Sequence, residues 1–547
     1  MHTLPSGSEG DRCGYYSQMG SELGRWFLES GERGNSATSI RAWTEGNRVE
    51  ALIDGRTYHP RLHEELCKLR PGDLVYLTDW RGDPDQRMDG PGTELGPILA
   101  DLARRGVQVR GLLWRSHPSS AHFNEEQNRR LGEVVDHAGG EILLDERVRG
   151  SGCQHQKLVV LHHPGRHEED VAFVGGIDLC HGRGDDERHL GDSQPVPMDR
   201  RYGPRPPWHD AQLGIRGPAV GDLSITFRER WEDPTPLDHR NPWRARLTRR
   251  VGQPRHPSPL PDRLSDPGPA GPHAVQILRT YPAKLPRLPF APHGERSVAR
   301  GYSKAFQRAR RLIYVEDQFL WSTEVAQLLA DALRRQPLLR LIAVVPRYPD
   351  QDGALTGPPN RIGQQVALDL IRAAGGDRVA VYDLENENGT PVYVHAKVCV
   401  IDDVWATVGS DNLNRRSWTH DAELTAAVLD STLDPRPPVD PAGLGDGARV
   451  FARNLRLSLW REHLGRAPGD DSDLLDPERG FEAWREQAAA LEAWRREGQR
   501  GPRPPGRVRT HRPGRVRPWA AWWAWPLYRT IIDPDGRPWR LRRSGRF

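Results

Sequence analysis

Cysteine is scarce in this chain of 547 residues: there are five, Cys13, Cys67, Cys153, Cys180 and Cys399. The number is odd and no two form a Cys-x-x-Cys pair. That argues against a disulfide framework and against a cysteine zinc site, and it fits a reducing cytoplasm. Lysine is scarce too. Of 78 Lys and Arg residues only five are Lys: Lys68, Lys157, Lys284, Lys304 and Lys397. Arg evidently serves wherever a positive charge suffices, so a retained Lys marks a place where Arg will not do. Long hydrophobic runs are missing; none approaches the roughly 18 residues of a membrane span. The first 20 residues lack the apolar core of a secretory leader. Nor is the chain basic throughout, as a nucleic-acid-binding protein would be. Residues 501–547 hold 12 Arg and two acids, a net of +10, which leaves −6 for the rest of a chain whose total is +4. Gly (55) and Pro (48) are abundant, yet their share stays under the roughly 25–30 % that signals wholesale disorder. A folded protein with long loops is expected.

Two segments tell the same story in the same order. In the first, a short strand at Val49–Ile53 ends at Asp54-Gly55, and a helical stretch runs from His59 to Leu69. The buried-strand run Leu74–Asp79, a helix near Glu94–Arg105 and the strand Val107–Trp114 follow, then a helix near Asn124–His137. Next come His155-Gln-Lys157, the strand Leu158–Leu161, Val171–Val174 and the turn Gly175-Gly176. In the second, strand Leu312–Val315, helix Thr323–Arg335, strand Leu339–Val345, helix Arg361–Ala374 and strand Val379–Leu384 lead to His395-Ala-Lys397. Strands Val398–Ile401 and Trp405–Val408 and the turn Gly409-Ser410 follow. Strands alternating with helices place both segments in the α/β class, and the matched order implies an internal duplication. The expected division is an N-terminal extension (1–44), a first half (45–232), a Pro/Arg-rich linker (233–272), a second half (273–465), and a C-terminal helix with a basic, Trp-rich tail (466–547). Residues 183–207 read as a Gly/Asp/Pro insertion, and 502–518 as a Pro/Arg tether.

A strand that opens His-x-Lys puts both side chains on one face of its sheet, about 7 Å apart. If the two halves meet about a pseudo-twofold axis, two His and two Lys converge. Such a site suits a phosphodiester. The cations hold its oxygens, one imidazole attacks, and the other protonates the leaving oxygen. No metal or other cofactor is needed, and attack by His makes a phosphohistidine. One His-x-Lys alone would mean little. Two at matched positions, using two of five lysines and each followed by a strand and a Gly-small turn, carry the reading. The turns are Gly175-Gly176-Ile177-Asp178 and Gly409-Ser410-Asp411-Asn412, a geometry that lets backbone approach a phosphate.

The second copy, His395-x-Lys397-x4-Asp402 followed by Gly409-Ser410-x-Asn412, resembles the signature of the phospholipase D superfamily. The first copy resembles the eukaryotic-type members through Ala172–Cys180 with Gly182-Arg183, and through Pro207-Trp208-His209-Asp210 followed by Gly217-Pro218-Ala219-Val220. Tyr314-Val-Glu-Asp-Gln-Phe319 resembles another stretch of the same family. The resemblance spans about residues 45 to 465. It implies two duplicated α/β sandwich units, each a mixed β-sheet flanked by helices, with the active site at their interface. It implies His155 as nucleophile and His395 as general acid, with Lys157 and Lys397 on the phosphate. Gly175, Gly176, Asp178, Ser410 and Asn412 are the remaining phosphate-side candidates. Asp402 completes the second motif and is counted among the catalytic residues, as a support of its geometry and not as an attacking group. Each catalytic His leans on a downstream acid that fixes its tautomer; the matching candidates are Asp210 after His155 and Glu423 after His395. There is one departure: His162 stands where the first motif has Asp.

The function so implied is hydrolysis of a glycerophospholipid to phosphatidate and a free headgroup, or exchange of the headgroup. Alternatives are a nuclease of the same superfamily, disfavoured by the acidic body, and a membrane-associated scaffold with a degenerate site. The expected protein is a cytoplasmic monomer, peripheral on the inner membrane face, with no nucleic-acid partner. Only about 45 residues precede the first half, so PX or PH lipid-binding domains do not fit there. Trp519, Trp522, Trp523, Trp525 and Tyr528 among the tail arginines suit an anionic headgroup layer. The other reading of the tail is a strand or staple over residues 522–532 docked on the catalytic body.

Overall fold

The computed structural model describes residues 22–115, 125–237, 253–350, 357–544 and 547. Two mixed sheets form its frame. The first has the spatial order Thr44–Ile53, Ala211–Arg216, Val171–Gly175, Leu158–His162, Leu74–Asp79, Gln108–Trp114, Glu141–Asp145. The second runs His273–Tyr281, Glu423–Asp430, Trp405–Gly409, Val398–Ile401, Leu312–Glu316, Arg340–Val344, Val379–Glu385. In each, the first four pairings are antiparallel and the last two parallel, so the duplication read from the sequence holds strand by strand. Parallel neighbours need crossover helices. Leu95–Arg104 and Glu125–Asp136 supply them in the first half, Thr323–Arg335 and Gly357–Gly375 in the second. Ser322 starts the helix Thr323–Arg335 by accepting the backbone N–H groups of Glu324 and Val325.

Alternation along the strands sorts the cores. Tyr76 and Tyr314 face one shared core that also takes Val160, Val174, Leu213, Val400, Val408 and Val428. Their neighbours Val75 and Leu77 pack under the outer helices of the first half, and Ile313 and Val315 under those of the second. The sheets also touch at an edge, where Thr44 lies opposite Val275 and Asn47 opposite His273. The halves therefore share a continuous apolar interior.

Several sequence expectations shift. The helix after Asp54 begins at Gly55, four residues before the expected start. A Cβ at Gly55 would lie 1.8 Å from the carbonyl oxygen of Arg183, so only glycine lets the insertion cross there. That insertion is irregular and only partly buried. Asp185 accepts the N–H groups of Gly191 and Trp208, and Asp192 those of Gly182 and Gly184. Part of the expected linker, 238–252, lies outside the described residues, as do residues 1–21 of the N-terminal extension. Trp26 and Phe27, at the extension's described end, are buried against the helix Ser297–Arg308.

The expected tether contains a strand. Val508–Thr510 pairs antiparallel with Tyr382–Leu384 at the sheet edge, with Val508 buried. Three residues are too few for periodicity to reveal a strand between stretches of Pro and Arg. The tail then docks through the helix Pro518–Leu527, whose Ala520 and Ala524 are buried. Tyr528 fits over Gly363, where a Cβ would stand 2.3 Å from its ring. Its hydroxyl oxygen lies 2.8 Å from the carbonyl oxygen of Trp321 and 2.9 Å from Asp533 Oδ2, one of which takes its proton. Docking thus occurs in helical rather than strand form. It leaves Trp519 (66 % exposed) and Trp522 (85 %) on the outer face.

Candidate active site

Each His-x-Lys segment is placed by the opposite half. Gln154, just before His155, bridges in parallel to Ala422, just before Glu423. The His155 N–H donates to the Ala422 carbonyl at 2.9 Å. By the same rule Tyr393-Val394, just before His395, pairs in parallel with Trp208-His209, just before Asp210. The His395 N–H donates to the His209 carbonyl at 2.8 Å. These two cross-half ladders bring each imidazole to an acid of the other half. His155 Nδ1 lies 2.9 Å from Glu423 Oε2, and His395 Nδ1 lies 2.6 Å from Asp210 Oδ2. The expected within-half pairing is corrected: the acids are the expected ones, and the partners are exchanged. Spacing along a chain cannot tell these pairings apart, because only the twofold packing decides between them. With Nδ1 committed on both rings, Nε2 is the atom left for chemistry.

Both lysines are buried. Lys157 Nζ sits 3.1 Å from Asp178 Oδ1 and donates to its own strand's His155 carbonyl at 3.1 Å. It also lies 5.9 Å from the ring centroid of Trp80. Lys397 Nζ donates to Gln318 Oε1 at 3.3 Å and to the His395 carbonyl. Burial lowers the basicity of both imidazoles well below the usual histidine range. Lys157 and Lys397 add to this at His155, and Lys397 and Arg183 at His395. Burial also pulls Lys397 down to about 8. At Lys157 the same burial is outweighed by Asp178, Asp79 and Glu423, and the ammonium is held above its ordinary value. Glu423 is pushed up to about 8 by burial and by Asp421. The lowered basicity of His155 suits a neutral imidazole nucleophile.

The other expected residues divide. Asp178 is a counter-ion rather than a phosphate ligand, since its carboxylate faces Lys157 and, at 3.2 Å, Arg183. Ser410 donates to Glu423 at 2.6 Å and so fixes an acid. Gly176, its counterpart in the first half, has no room for more: a Cβ would lie 2.1 Å from Asp210 Oδ1. A Cβ at Gly175 would lie 2.4 Å from Gln212 Oε1. These glycines are required by the acid-bearing strand, and neither has a positive φ. Asn412 is buried with its Oδ1 unpartnered; that oxygen only accepts, so a contact with phosphate falls to its amide nitrogen. Asp402 lies at the far end of its strand. It accepts the N–H groups of Arg310, Arg311 and Leu312 at 2.7–2.8 Å and touches none of the four His and Lys side chains. Its place as a catalytic residue is corrected to that of a strand anchor. His162 holds the matching far-end position in the first half, bonded to Asp170 at 3.0 Å and Ser224 at 2.9 Å. The substitution is thus remote from the imidazoles.

Sequence reasoning missed Trp80, Trp208, Arg183 and Gln318 as site residues. Trp208 lies 4.8 Å from the His395 ring, and the Arg183 guanidinium stacks 3.8 Å from the Trp208 centroid. Arg183 and Trp208 stood inside quoted motifs, but nothing in their spacing marked them. Beside Gln318 opens a cavity of about 400 Å³, lined among others by Arg201, Arg347, Tyr348 and Tyr393. Arg201 brings the expected insertion to this cavity. Gly176→Ala is expected to displace Asp210 and cost roughly 100-fold in kcat, as misplacements near 1 Å do. Steady-state kinetics beside a melting curve would check it, with little change expected in Tm.

Residues 83–241 match the family described as Phospholipase D, and residues 302–434 the family described as Cardiolipin synthase, PLD-like domain. The chain is similar to phospholipase D1 of Schizosaccharomyces pombe, 25 % identical over 539 residues, covering 81 % of this chain and 38 % of that protein. It is also similar to phospholipase D alpha 1 of Arabidopsis thaliana, 25 % identical over 564 residues, with coverage of 78 % and 66 %. The chain thus spans less than two thirds of the length of either relative. Among solved structures, phosphatidylserine synthase of Haemophilus influenzae superposes with a TM-score of 0.47 at 14 % identity, covering 70 % of this chain and 82 % of that one.

Proposed function

We propose that this chain, which belongs to the phospholipase D superfamily, cleaves a glycerophospholipid to phosphatidate and a free headgroup, or passes the phosphatidyl group to an alcohol. The observation that carries the reading is the crossed pair of imidazole–carboxylate contacts, His155 with Glu423 and His395 with Asp210, flanked by two buried lysines. The diester's non-bridging oxygens lie between Lys157 and Lys397, with the Asn412 amide at hand. His155 Nε2 attacks phosphorus, and the bond to the headgroup oxygen breaks. His395 Nε2 gives that oxygen its proton. The anionic diester offsets Lys397 and Arg183, which with burial hold His395 neutral in the empty site, so the ring takes up the proton it later donates. Water or an alcohol then loses a proton to His395 and attacks the phosphohistidine, which frees His155. Each carboxylate supports the charge that appears on its ring.

The test is product analysis on phosphatidylcholine vesicles with ethanol present. Phosphatidate and phosphatidylethanol are expected. Plasmid nicking without lipid turnover would replace this reading with a nuclease, and absence of both activities would overturn it.

The proposed working place is a membrane surface reached from the cytoplasm. Among the described residues, no helix is long and apolar enough to cross a membrane, and Cys67, Cys153, Cys180 and Cys399 are free thiols. Trp519 and Trp522, three residues apart on a docked helix, present indole rings outward among tail arginines. Replacing both with Ala is expected to weaken binding to anionic vesicles on the order of tenfold or more, since burying one large apolar side chain is worth about 1.5–3 kcal/mol. Tm and cleavage of a soluble short-chain substrate should hold. Vesicle flotation and calorimetry on one preparation would check this; unchanged flotation would sink the idea.

A further inference from the structure

Behind His395 lies a second cluster that the proposed reaction does not use. Asp54, His189, His209 and Glu462 point one ligand atom each into a common space, all within 4.8 Å of one another. His209 Nδ1 is 3.1 Å from Asp54 Oδ1 and 3.1 Å from Glu462 Oε1, and His189 Nε2 is 3.1 Å from the same Glu462 oxygen. Asp54, His189 and His209 are buried.

The tautomers make the arrangement telling. His209 Nε2 faces Glu316 Oε2 at 2.8 Å and must carry a proton there. His189 Nδ1 faces the Trp208 carbonyl at 3.2 Å, an acceptor only, and must carry its proton on that side. In the neutral rings the opposite nitrogens, His209 Nδ1 and His189 Nε2, then present lone pairs to carboxylates. His209 Nδ1 has two such oxygens before it and makes no hydrogen bond, and Asp54 Oδ2 is also without a partner. A second proton on His209 could point at only one of its two oxygens. A cation at the centre would take all four donors at once. Ligands 2.0–2.1 Å from a tetrahedral zinc ion stand about 3.3 Å apart, close to the three separations found. The outer contacts fit as well. A carboxylate behind one ligating imidazole and a backbone carbonyl behind the other are the usual supports of metal-bound histidine. Asp54 and His189 also hold positive φ angles of 64° and 54°, a strained backbone of the kind kept at sites that need it.

We propose that Asp54, His189, His209 and Glu462 bind one divalent transition-metal ion, Zn²⁺ by ligand type, which fastens the two halves behind His395. Two imidazoles and two carboxylates suit zinc among the common ions. Three ligands come from the first half and Glu462 from the helix Val450–Leu464 of the second. The ion's work is structural. Asp54 Oδ1 accepts the Asp210 N–H at 3.2 Å, and the His209 carbonyl accepts the His395 N–H. A fixed cluster would hold both members of the His395–Asp210 pair in place.

The full-length protein, expressed with Zn²⁺ in the medium and purified without chelator, would be assayed for metal by mass spectrometry. Protein expressed with Co²⁺ would be read by visible absorption. About one zinc per chain is expected, together with the d–d bands of tetrahedral Co²⁺. His189→Ala and Glu462→Gln should lose the metal, with a fall in Tm. Should these variants not fold, wild-type stoichiometry and the Co²⁺ spectrum still decide. Metal-free wild type with a silent Co²⁺ spectrum would overturn the proposal and leave a protonated imidazole–carboxylate network. Undiminished metal in both variants would overturn it too, by placing the ion elsewhere.

Discussion

His155→Ala and Glu423→Gln should fail on every substrate, whereas His395→Ala and Asp210→Asn should recover much of their first-step rate, read as the burst of leaving group, when that group needs no proton. The expectation comes from the crossed contacts, His155 to Glu423 at 2.9 Å and His395 to Asp210 at 2.6 Å. Loss of the nucleophile should cost roughly 10⁴-fold or more, as for other members of a covalent catalytic unit. Loss of the general acid should cost about 10²–10⁴-fold on a lipid, whose headgroup alkoxide is a poor leaving group. On a p-nitrophenyl phosphodiester, which departs unprotonated, most of that second deficit should vanish from the burst of p-nitrophenol release, while the later hydrolysis of the intermediate still lacks its base. The four variants therefore sort into His155 with Glu423 and His395 with Asp210. Sorting instead by half, His155 with Asp210, would refute the crossed assignment. Phosphopeptide mapping of His395→Ala quenched in alkali, where the P–N bond survives, should find the substrate phosphorus on His155. Finding it on another residue would reverse the roles.

Lys157→Arg and Lys397→Arg should each lose roughly 10²–10³-fold in kcat/KM although each keeps its charge. Lys157 Nζ occupies a slot bounded by Asp178, the face of Trp80 and the His155 carbonyl. Lys397 fits between Gln318 and the His395 carbonyl. A compact ammonium serves there, while a planar guanidinium is wider and its donors are fixed in a fork. Removing or misplacing a preorganised donor to developing phosphate charge costs about 3–4 kcal/mol elsewhere, which sets the scale. Near-native turnover in either variant would leave the scarcity of lysine without a catalytic reason. Lys397 also implies a pH limb. With its pKa drawn down to about 8 in the empty site, it is charged below that value and neutral above. The kcat/KM of the wild type should therefore fall as pH rises past about 8, which a pH–rate profile would show.

The chain order of strands and helices and the duplicated His-x-Lys segments were legible because they are local or repeat. The apolar runs Leu74–Asp79 and Leu312–Val315 can be read from near neighbours alone, and the copies check each other. Features set by packing between distant segments were not legible. The exchange of Asp210 and Glu423 needs the twofold arrangement. Asp178 had to be seen beside Lys157 and Arg183 before it became a counter-ion. Asp402 had to be seen 90 residues from its partner Leu312 before it became an anchor. The tail strand Val508–Thr510 is too short to show a period, and its burial depends on a sheet edge more than a hundred residues upstream. The tail's Trp and Arg composition suited both membrane and core, and the helix Pro518–Leu527 turns Ala520 and Ala524 inward and Trp519 and Trp522 outward.

The exchanged acids also set a clock on the newborn chain. Glu423 is made 268 residues after His155, and ribosomes add roughly 5–20 residues per second. The imidazole in the first half thus emerges roughly 15–50 s before the group that steadies it. Asp210 likewise waits for His395, which follows it by 185 residues. Until the later half has folded onto the earlier one, neither ring has its carboxylate. A ribosome-bound or truncated first half is a blank, harmless to nearby bilayers, and hydrolytic competence arrives as a late, all-or-none event of assembly.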